Sequence, residues 1–331
     1  MAKSNSRRGE SALIAHYFAP LCDPDASFGL TDDAAFLTVP DGQQLVLTKD
    51  MLVADVHFFA NDRPELIARK ALRVNLSDLA AKGASPLGYM LGLGLPADWN
   101  EDWLSAFCEG LKQDQGEFSF PLIGGDTVKT AERLTLSITA LGTVKAGKPI
   151  LRRNAQPGDD VYVSGTIGDG ALGLLARRGT LSKLTTSKQS DYLVDRFLLP
   201  RPRIDLSPLI CHFASASMDI SDGLLGDAAK MAMAAGVSIT LMLEDIPLSD
   251  AGNMLVQRQP NLMHTALSGG DDYELLFCAP RMHREAIMQT AQTFKTPITC
   301  VGAVEVGKGV NLFDRENNCL VAGQNGAYEH F

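Results

Sequence analysis

Long apolar runs are missing from this chain: no stretch reaches the ~18 residues that a membrane-spanning helix needs, so no membrane partner is expected. Basic charge is also in short supply. Thirty Lys and Arg stand against 39 Asp and Glu, a formal net charge of -9. Nucleic acid or an anionic lipid surface would require a basic face that this balance does not provide. The six cysteines (Cys22, Cys108, Cys211, Cys278, Cys300 and Cys319) contain no C-x-x-C pair, so neither a disulfide frame nor a zinc site is expected. Residues 1–8 are polar and basic, but the apolar run after them is too short for a secretory signal. Reduced thiols and the lack of a signal give the cytoplasm as the expected location. The commonest catalytic templates are absent too. There is no H-E-x-x-H helix, G-x-S-x-G elbow, D-x-D-x-D-G calcium loop or kinase H-R-D and D-F-G set.

What is present fits an ordinary globular protein, with 45% hydrophobic and 21% charged residues. At 331 residues the chain is long enough for two domains, each with its own core. Gly147, Lys148, Pro149, Pro157 and Gly158 make a polar, turn-rich connection. It sets the expected domains as residues 1–146 and 147–331.

In the first half, residues 10–18 have the pattern of a short amphipathic helix. Residues 33–39 and 44–53 are β-rich and flank Pro40-Asp41-Gly42, which predicts a hairpin. A strong helix follows, with Asn61 or Asp62 as cap, Pro64 in the first turn and Gly83 as the stop. Within it Asn75 and Asp78 share a face. A polar pair on so apolar a helix lies either on the solvent side or toward a ligand. A strand over 87–95, a helix over 101–115 and a β run over 134–144 complete this half.

In the second half, a strand at 161–163 leads through the glycine-rich turn 165–170 into a helix reaching about Arg178. Without a Walker lysine-serine pair or a full G-x-G-x-x-G fingerprint, this predicts a plain strand-to-helix turn. Residues 180–190 are expected as an exposed loop. A strand over 216–220 enters Ser221-Asp222-Gly223, expected to cap a helix through Ala235, and residues 273–278 form a further strand.

The organising stretch is Pro121-Leu122-Ile123-Gly124-Gly125-Asp126-Thr127. A strand burying Leu122 and Ile123 is expected to turn through Gly-Gly and deliver Asp126 to a sheet rim. That is either a turn with no ligand or a place where an anion approaches the backbone. Other carboxylates also stand at the ends of apolar segments: Asp32-Asp33, Asp50, Asp78, Asp219, Asp222 and Asp271-Asp272. Mg²⁺ takes one or two carboxylates with phosphate oxygens and waters, so dispersed aspartates suit a multi-metal triphosphate site.

Six motifs then occur in order: Asp32-Asp33-Ala34-Ala35; Thr48-Lys49-Asp50, with His57 after it; Asn75-Leu76-Ser77-Asp78-Leu79-Ala80-Ala81; Ile123-Gly124-Gly125-Asp126-Thr127; Asp219-Ile220-Ser221-Asp222-Gly223-Leu224; and Ser268-Gly269-Gly270-Asp271-Asp272-Tyr273-Glu274-Leu275. The series closely resembles the thiamine-monophosphate kinase family of the aminoimidazole ribonucleotide synthetase superfamily, over nearly the whole chain. The resemblance implies a two-domain α/β (α+β) protein, with an N-terminal mixed sheet that pairs into a homodimer and a C-terminal α/β sandwich. It implies transfer of the γ-phosphoryl of ATP, the co-substrate, to thiamine monophosphate, with several Mg²⁺ ions as cofactor. Carried over by motif, Asp33, Thr48, Asp50, Asp78, Asp126, Asp219 and Asp222 would hold metal. Of these, Asp78, Asp126 and Asp222 would be catalytic. Gly125, Asp126, Arg152 and Ser221 would contact ATP, while His57, Asp271 and Tyr328 would contact the thiamine substrate.

The residue types suit that chemistry independently. The acceptor phosphate has a second pKa of about 6 and needs no general base. The obstacle is repulsion between two phosphates, which cations held by aspartates from both halves would offset. Three departures from the family pattern stand out: Gly29-Leu30-Thr31 replaces Gly-Ile-Gly, Lys49 stands where threonine is usual, and Asp271 where glutamate is common. Two alternatives remain, a purine cyclase-like enzyme of the same superfamily and a non-catalytic binder of nucleotide or thiamine phosphate.

Overall fold

Contacts divide the chain into two units, residues up to Leu79 with Ser85–Ala146, and Ala80–Ala84 with Gly147 onward. The computed structural model describes residues 8–147 and 149–322.

The first unit opens with α1 (Glu10–Leu13), whose helical path continues to Phe18, and α2 (Pro24–Ser27). Asp23 caps α2 by accepting the Asp25 and Ala26 N–H groups. The strands are β1 (Gln43–Val53), β2 (Ser85–Leu95), β3 (Leu122–Lys129) and β4 (Thr135–Lys145), in the order β1-β4-β2-β3. β4 is antiparallel to β1 and β2, and β2 is parallel to β3, so the sheet is mixed. The parallel pair requires a crossover, supplied by α4 (Glu101–Phe118). α3 (Pro64–Ala81) starts on Pro64 as expected, and Gly83 beyond it takes φ 65°.

Side chains alternate across this sheet. Leu52, Leu91, Leu93, Leu136, Ile138 and Ala140 are buried on one face, the face of the helices. On the opposite face Leu47, Met51, Met90 and Val128 remain 60%, 55%, 44% and 52% exposed. The ladder aligns these residues, with Met51 opposite Ser137, Met90 opposite Thr139 and Gly124, and Val128 opposite Gly94.

The expected hairpin does not form. Gln43 N–H closes the turn on Pro40 O at 3.1 Å, but only the second run becomes a strand, and its partner is β4 from Lys145 back to Thr135. Residues 33–39 follow an irregular course, with the Phe36 N–H donating to Ala26 O at 2.8 Å. β4 offers a continuous apolar face for Leu52 to extend, whereas the run over 33–39 packs its Ala35 and Leu37 in a small cluster with Ala26, Ile123 and Leu141.

The second unit contains β5 (Asp159–Ser164), α5 (Asp169–Arg177), α6 (Ser187–Leu198), α7 (Ser207–Phe213), β6 (Ala216–Ile220), α8 (Leu224–Ala235) and β7 (Ser238–Met242). It continues with α9 (Asp250–Arg258), α10 (Leu262–Ser268), β8 (Glu274–Pro280), α11 (Arg284–Ala291), β9 (Ile298–Glu305), β10 (Gly309–Phe313) and β11 (Cys319–Ala322). Its strand order is β11-β10-β7-β9-β5-β8-β6. All six residues of β5 are buried because helices cover both faces. Val161 and Val163 pack in a cluster with α8, while Tyr162 stacks on Phe277 in a cluster with α7 and α11. Strands buried on both sides read as continuous apolar runs, which is why 161–163 and 273–278 are visible in the sequence.

The expected loop over 180–190 is only partly a loop. α6 already starts at Ser187, where Thr186 and Gln189 form a capping box. Among the described residues no helix is long and apolar enough to cross a membrane.

Candidate active site

β1 and α3 build the first constellation. Alternation along β1 turns Thr48 and Asp50 toward the helix side and leaves Lys49 exposed on the other. On α3, Asn75 is fully buried. Its Oδ1 accepts the Asp50 N–H at 3.1 Å, and its Nδ2 donates to Ala71 O at 3.0 Å. Asp78, one turn on, accepts the Thr48 hydroxyl at 2.5 Å. The solvated-face option for Asn75 and Asp78 is thereby excluded, since the pair faces β1. Burial, with the Asp78 charge beside it, pushes the Asp50 carboxyl up to about 6.

Asp126 lies on the opposite face of the sheet, in register with Gly92. It lines a cavity of about 190 Å³ together with Asp32, Asp33, Gly125, Phe18 and Met90. The expected Gly-Gly turn is absent, because β3 runs straight through Gly124 and Gly125 to Lys129. Gly125 is needed for a different reason: a Cβ there would collide with the Leu91 carbonyl oxygen of β2. Asp33 follows a tight turn in which Phe28, Gly29 and Leu30 take φ of 51°, 67° and 60°. Leu30 therefore occupies a left-handed conformation that side chains rarely adopt, while Thr31, which stands where the family pattern has its second glycine, does not.

In the second unit, Asp219 is buried near the end of β6, and Ser221-Asp222-Gly223 follows. The expected side-chain cap from this tripeptide is replaced by Asp227, whose Oδ2 accepts the Ser221 and Asp222 N–H groups at 3.0 and 2.9 Å. Lys230 pairs with Asp222 and, at 2.8 Å, with Asp227. Sequence reasoning missed Asp227 and Lys230; their i, i+3 spacing on α8 was the available signal. Asp271 and Tyr273 donate their N–H groups to Ser221 O and Ile220 O at 2.9 and 2.8 Å, joining the Asp271 loop to this one. The glycine turn 165–170 carries no phosphate-loop role here. Its Gly168 and Gly170 N–H groups are held by the Asp272 carboxylate at 2.7 and 2.8 Å.

The remaining predicted residues divide: His57 follows the end of β1, and the turn that carries Arg152 packs against α8 and β6, which flank Asp222. His57 Nδ1 accepts the Val53 N–H at 3.1 Å, which places the proton of a neutral ring on Nε2. Arg152 is exposed on the turn Arg152–Asn154. Tyr328 lies outside the described residues. The first unit thus holds two acidic sets on opposite faces of one sheet, not a single cluster. Among the described residues no group of three or more His, Cys, Asp or Glu is arranged to hold a metal ion by itself. Pairs of carboxylates with open positions are what Mg²⁺ accepts when phosphate oxygens and waters complete its shell.

Comparison with known proteins gives concordant matches. Residues 31–144 match the model of the AIR synthase related protein N-terminal domain, and residues 156–315 that of its C-terminal domain. A thiamine-monophosphate kinase from Caulobacter vibrioides is 40% identical over 91% of this chain and 85% of its own. The crystal structure of thiamine-monophosphate kinase from Stenotrophomonas maltophilia K279a superposes with a TM-score of 0.81 at 39% identity, covering 91% of this chain and 94% of that one. AaThiL complexed with AMPPCP and TMP superposes at 0.75 with 32% identity, covering 89% of each chain.

Proposed function

The chain belongs to the thiamine-monophosphate kinase family of AIR synthase related proteins, and from that premise we propose how its residues serve the family's reaction. It phosphorylates thiamine monophosphate with ATP, yielding thiamine diphosphate and ADP. An oxygen of the acceptor phosphate attacks the γ-phosphorus. The bond from that phosphorus to the bridging oxygen breaks, and ADP departs with the electron pair. The acceptor is largely deprotonated at neutral pH, so no residue serves as general base.

We assign Mg²⁺ to the acidic sets: Thr48, Asp50 and Asp78; Asp33 and Asp126; Asp219 and Asp222. The donors fit, being hard oxygens throughout. Burial and then the Asp78 charge already raise the Asp50 carboxyl, and Asp222 already attracts a cation in Lys230. When bound, the ions offset the repulsion between the two phosphates and stabilise the charge on their oxygens. Gly125 contributes close backbone approach for ATP, Arg152 a guanidinium and Ser221 a hydroxyl. His57 offers its Nε2–H to the thiamine substrate, and the Asp271 carboxylate faces the cationic thiazolium. Tyr328 supplies an aromatic wall for the same ring.

We also infer a homodimer formed through the open face of the four-stranded sheet. Leu47, Met51, Met90 and Val128 lie exposed together there, and a second copy would cover them. The observation that carries the functional reading is the Thr48–Asp78 contact with Asp50 beside it, a cluster of hard oxygen donors between β1 and α3.

The test is product analysis with purified protein, ATP, thiamine monophosphate and Mg²⁺. Thiamine diphosphate and ADP should form one to one and stop on chelation with EDTA. Saturable binding of both substrates without product would replace the kinase reading with that of a regulator.

A further inference from the structure

Two non-glycine residues in the loop before β8 occupy the left-handed region, Asp271 at φ 71° and Tyr273 at φ 53°. L-residues disfavour that conformation and keep it only where the surroundings over-determine it. Between them lies Asp272, 1% exposed, whose two carboxylate oxygens are divided between two donors at the start of α5. Oδ2 accepts the Gly168 N–H at 2.7 Å and Oδ1 the Gly170 N–H at 2.8 Å. Arg196 approaches the Asp272 carbonyl at 3.5 Å and donates to Glu274 at 2.9 Å. On its other side the loop is tied to β6 by the Asp271 and Tyr273 N–H groups.

Glycine permits this arrangement at two points. A Cβ on Gly170 would strike the Asp271 carbonyl, and one on Gly270 would strike Ser221 O. Three loops therefore meet at backbone distance. One carboxylate pins the middle loop to the first, and that loop's own N–H groups pin it to the third.

We propose that Asp272 is a positioning residue for the transfer reaction. By holding both α5 donors it fixes the backbone on either side of itself, presents the Asp271 carboxylate to the substrate, and steadies Ser221 through the Asp271 N–H. The proposal rests on the assignment of Asp271 to the thiamine substrate. It explains why Asp271 keeps a side chain at a φ that glycine would adopt without strain.

Asp272→Asn tests it, because an amide presents a donor where one of the two N–H groups needs an acceptor. The variant should raise KM for thiamine monophosphate by about 10-fold or more, with a smaller rise in KM for ATP. Gly170→Ala keeps Asp272 and displaces the Asp271 carbonyl, so it gives the same readout should Asp272→Asn fail to fold. In Asp271→Asn/Asp272→Asn the two effects should not add, since Asp272 acts through Asp271. If Asp271→Asn leaves KM for thiamine monophosphate unchanged, the substrate assignment fails. If Asp271→Asn raises it while folded Asp272→Asn and Gly170→Ala do not, or if the effects add fully, the positioning role is overturned.

Discussion

The four-stranded sheet carries its acidic side chains inside regular elements, Asp50 on β1, Asp126 on β3 and Asp78 on α3. Around the seven-stranded sheet Asp222 and Asp271 sit on loops beyond strand ends. The difference follows from burial. The larger sheet is covered on both faces, so a carboxylate within its central strands has to be neutralised locally, as Asp160 is by Arg281 and Arg284. The smaller sheet has one open face, where Asp126 stays on its strand and still reaches water or a ligand, whereas Asp50 lies on the helix side with its carboxyl pushed up by burial. In the first unit the candidate residues therefore lie within regular elements. In the second, Asp219 lies on β6 and the other candidates on loops held by backbone hydrogen bonds.

The largest expected effect tests whether Asp126 belongs to function alone. Being exposed, Asp126→Asn should lower kcat by about 10²–10³-fold while the urea unfolding midpoint stays put. Loss of cooperative unfolding would make it a fold residue instead. Next in size, Gly125→Ala should destabilise by about 1–3 kcal/mol, because the new Cβ meets the Leu91 carbonyl. Gly124→Ala, whose Cβ would meet nothing nearer than the Met90 methyl at 3.6 Å, should be far milder in the same denaturation series. Equal effects would remove the close-approach explanation. Leu47→Glu with Met51→Glu should yield a monomer by light scattering and change the protomer's own stability by only about 0.5 kcal/mol. A dimer that survives places the interface elsewhere.

The smallest effect is a pH dependence. Burial, with the Asp78 charge beside it, pushes the Asp50 carboxyl up to about 6 in the fold from an ordinary 3.8. The folded state thus holds this proton more tightly, so the favourable contribution is full below about pH 4 and is lost as pH rises through 6. Metal-free Asp50→Asn, which cannot ionise, should gain thermal stability relative to the unsubstituted protein between about pH 4.5 and 7.5. A constant difference across that range would show that the fold does not raise the Asp50 carboxyl.

Elements whose pattern is set locally were legible in the sequence. α3 announced itself through Pro64 and Gly83, and β6 and β8 through apolar runs buried on both sides. The hairpin was misread because β1 pairs with a strand some ninety residues away, a choice that depends on matching faces and leaves no local trace. Gly124-Gly125 looked like a turn because glycine marks turns and close backbone approaches alike, and only the neighbouring strand distinguishes them. The six motifs gave the acidic residues but not their grouping. Asp227 and Lys230 went unnoticed, and Asp272 was read only as part of a motif, because the backbone N–H groups that Asp227 and Asp272 hold have no side-chain signature.

The most direct test is a Mg²⁺ titration of thiamine diphosphate formation with the unsubstituted protein, Asp78→Asn and Asp222→Asn, one substitution from each unit. The account predicts no turnover in EDTA, saturable activation by Mg²⁺, and a shift of the half-maximal concentration upward by at least about 10-fold in both variants. Turnover in EDTA, or two folded variants with unaltered Mg²⁺ dependence, would contradict it.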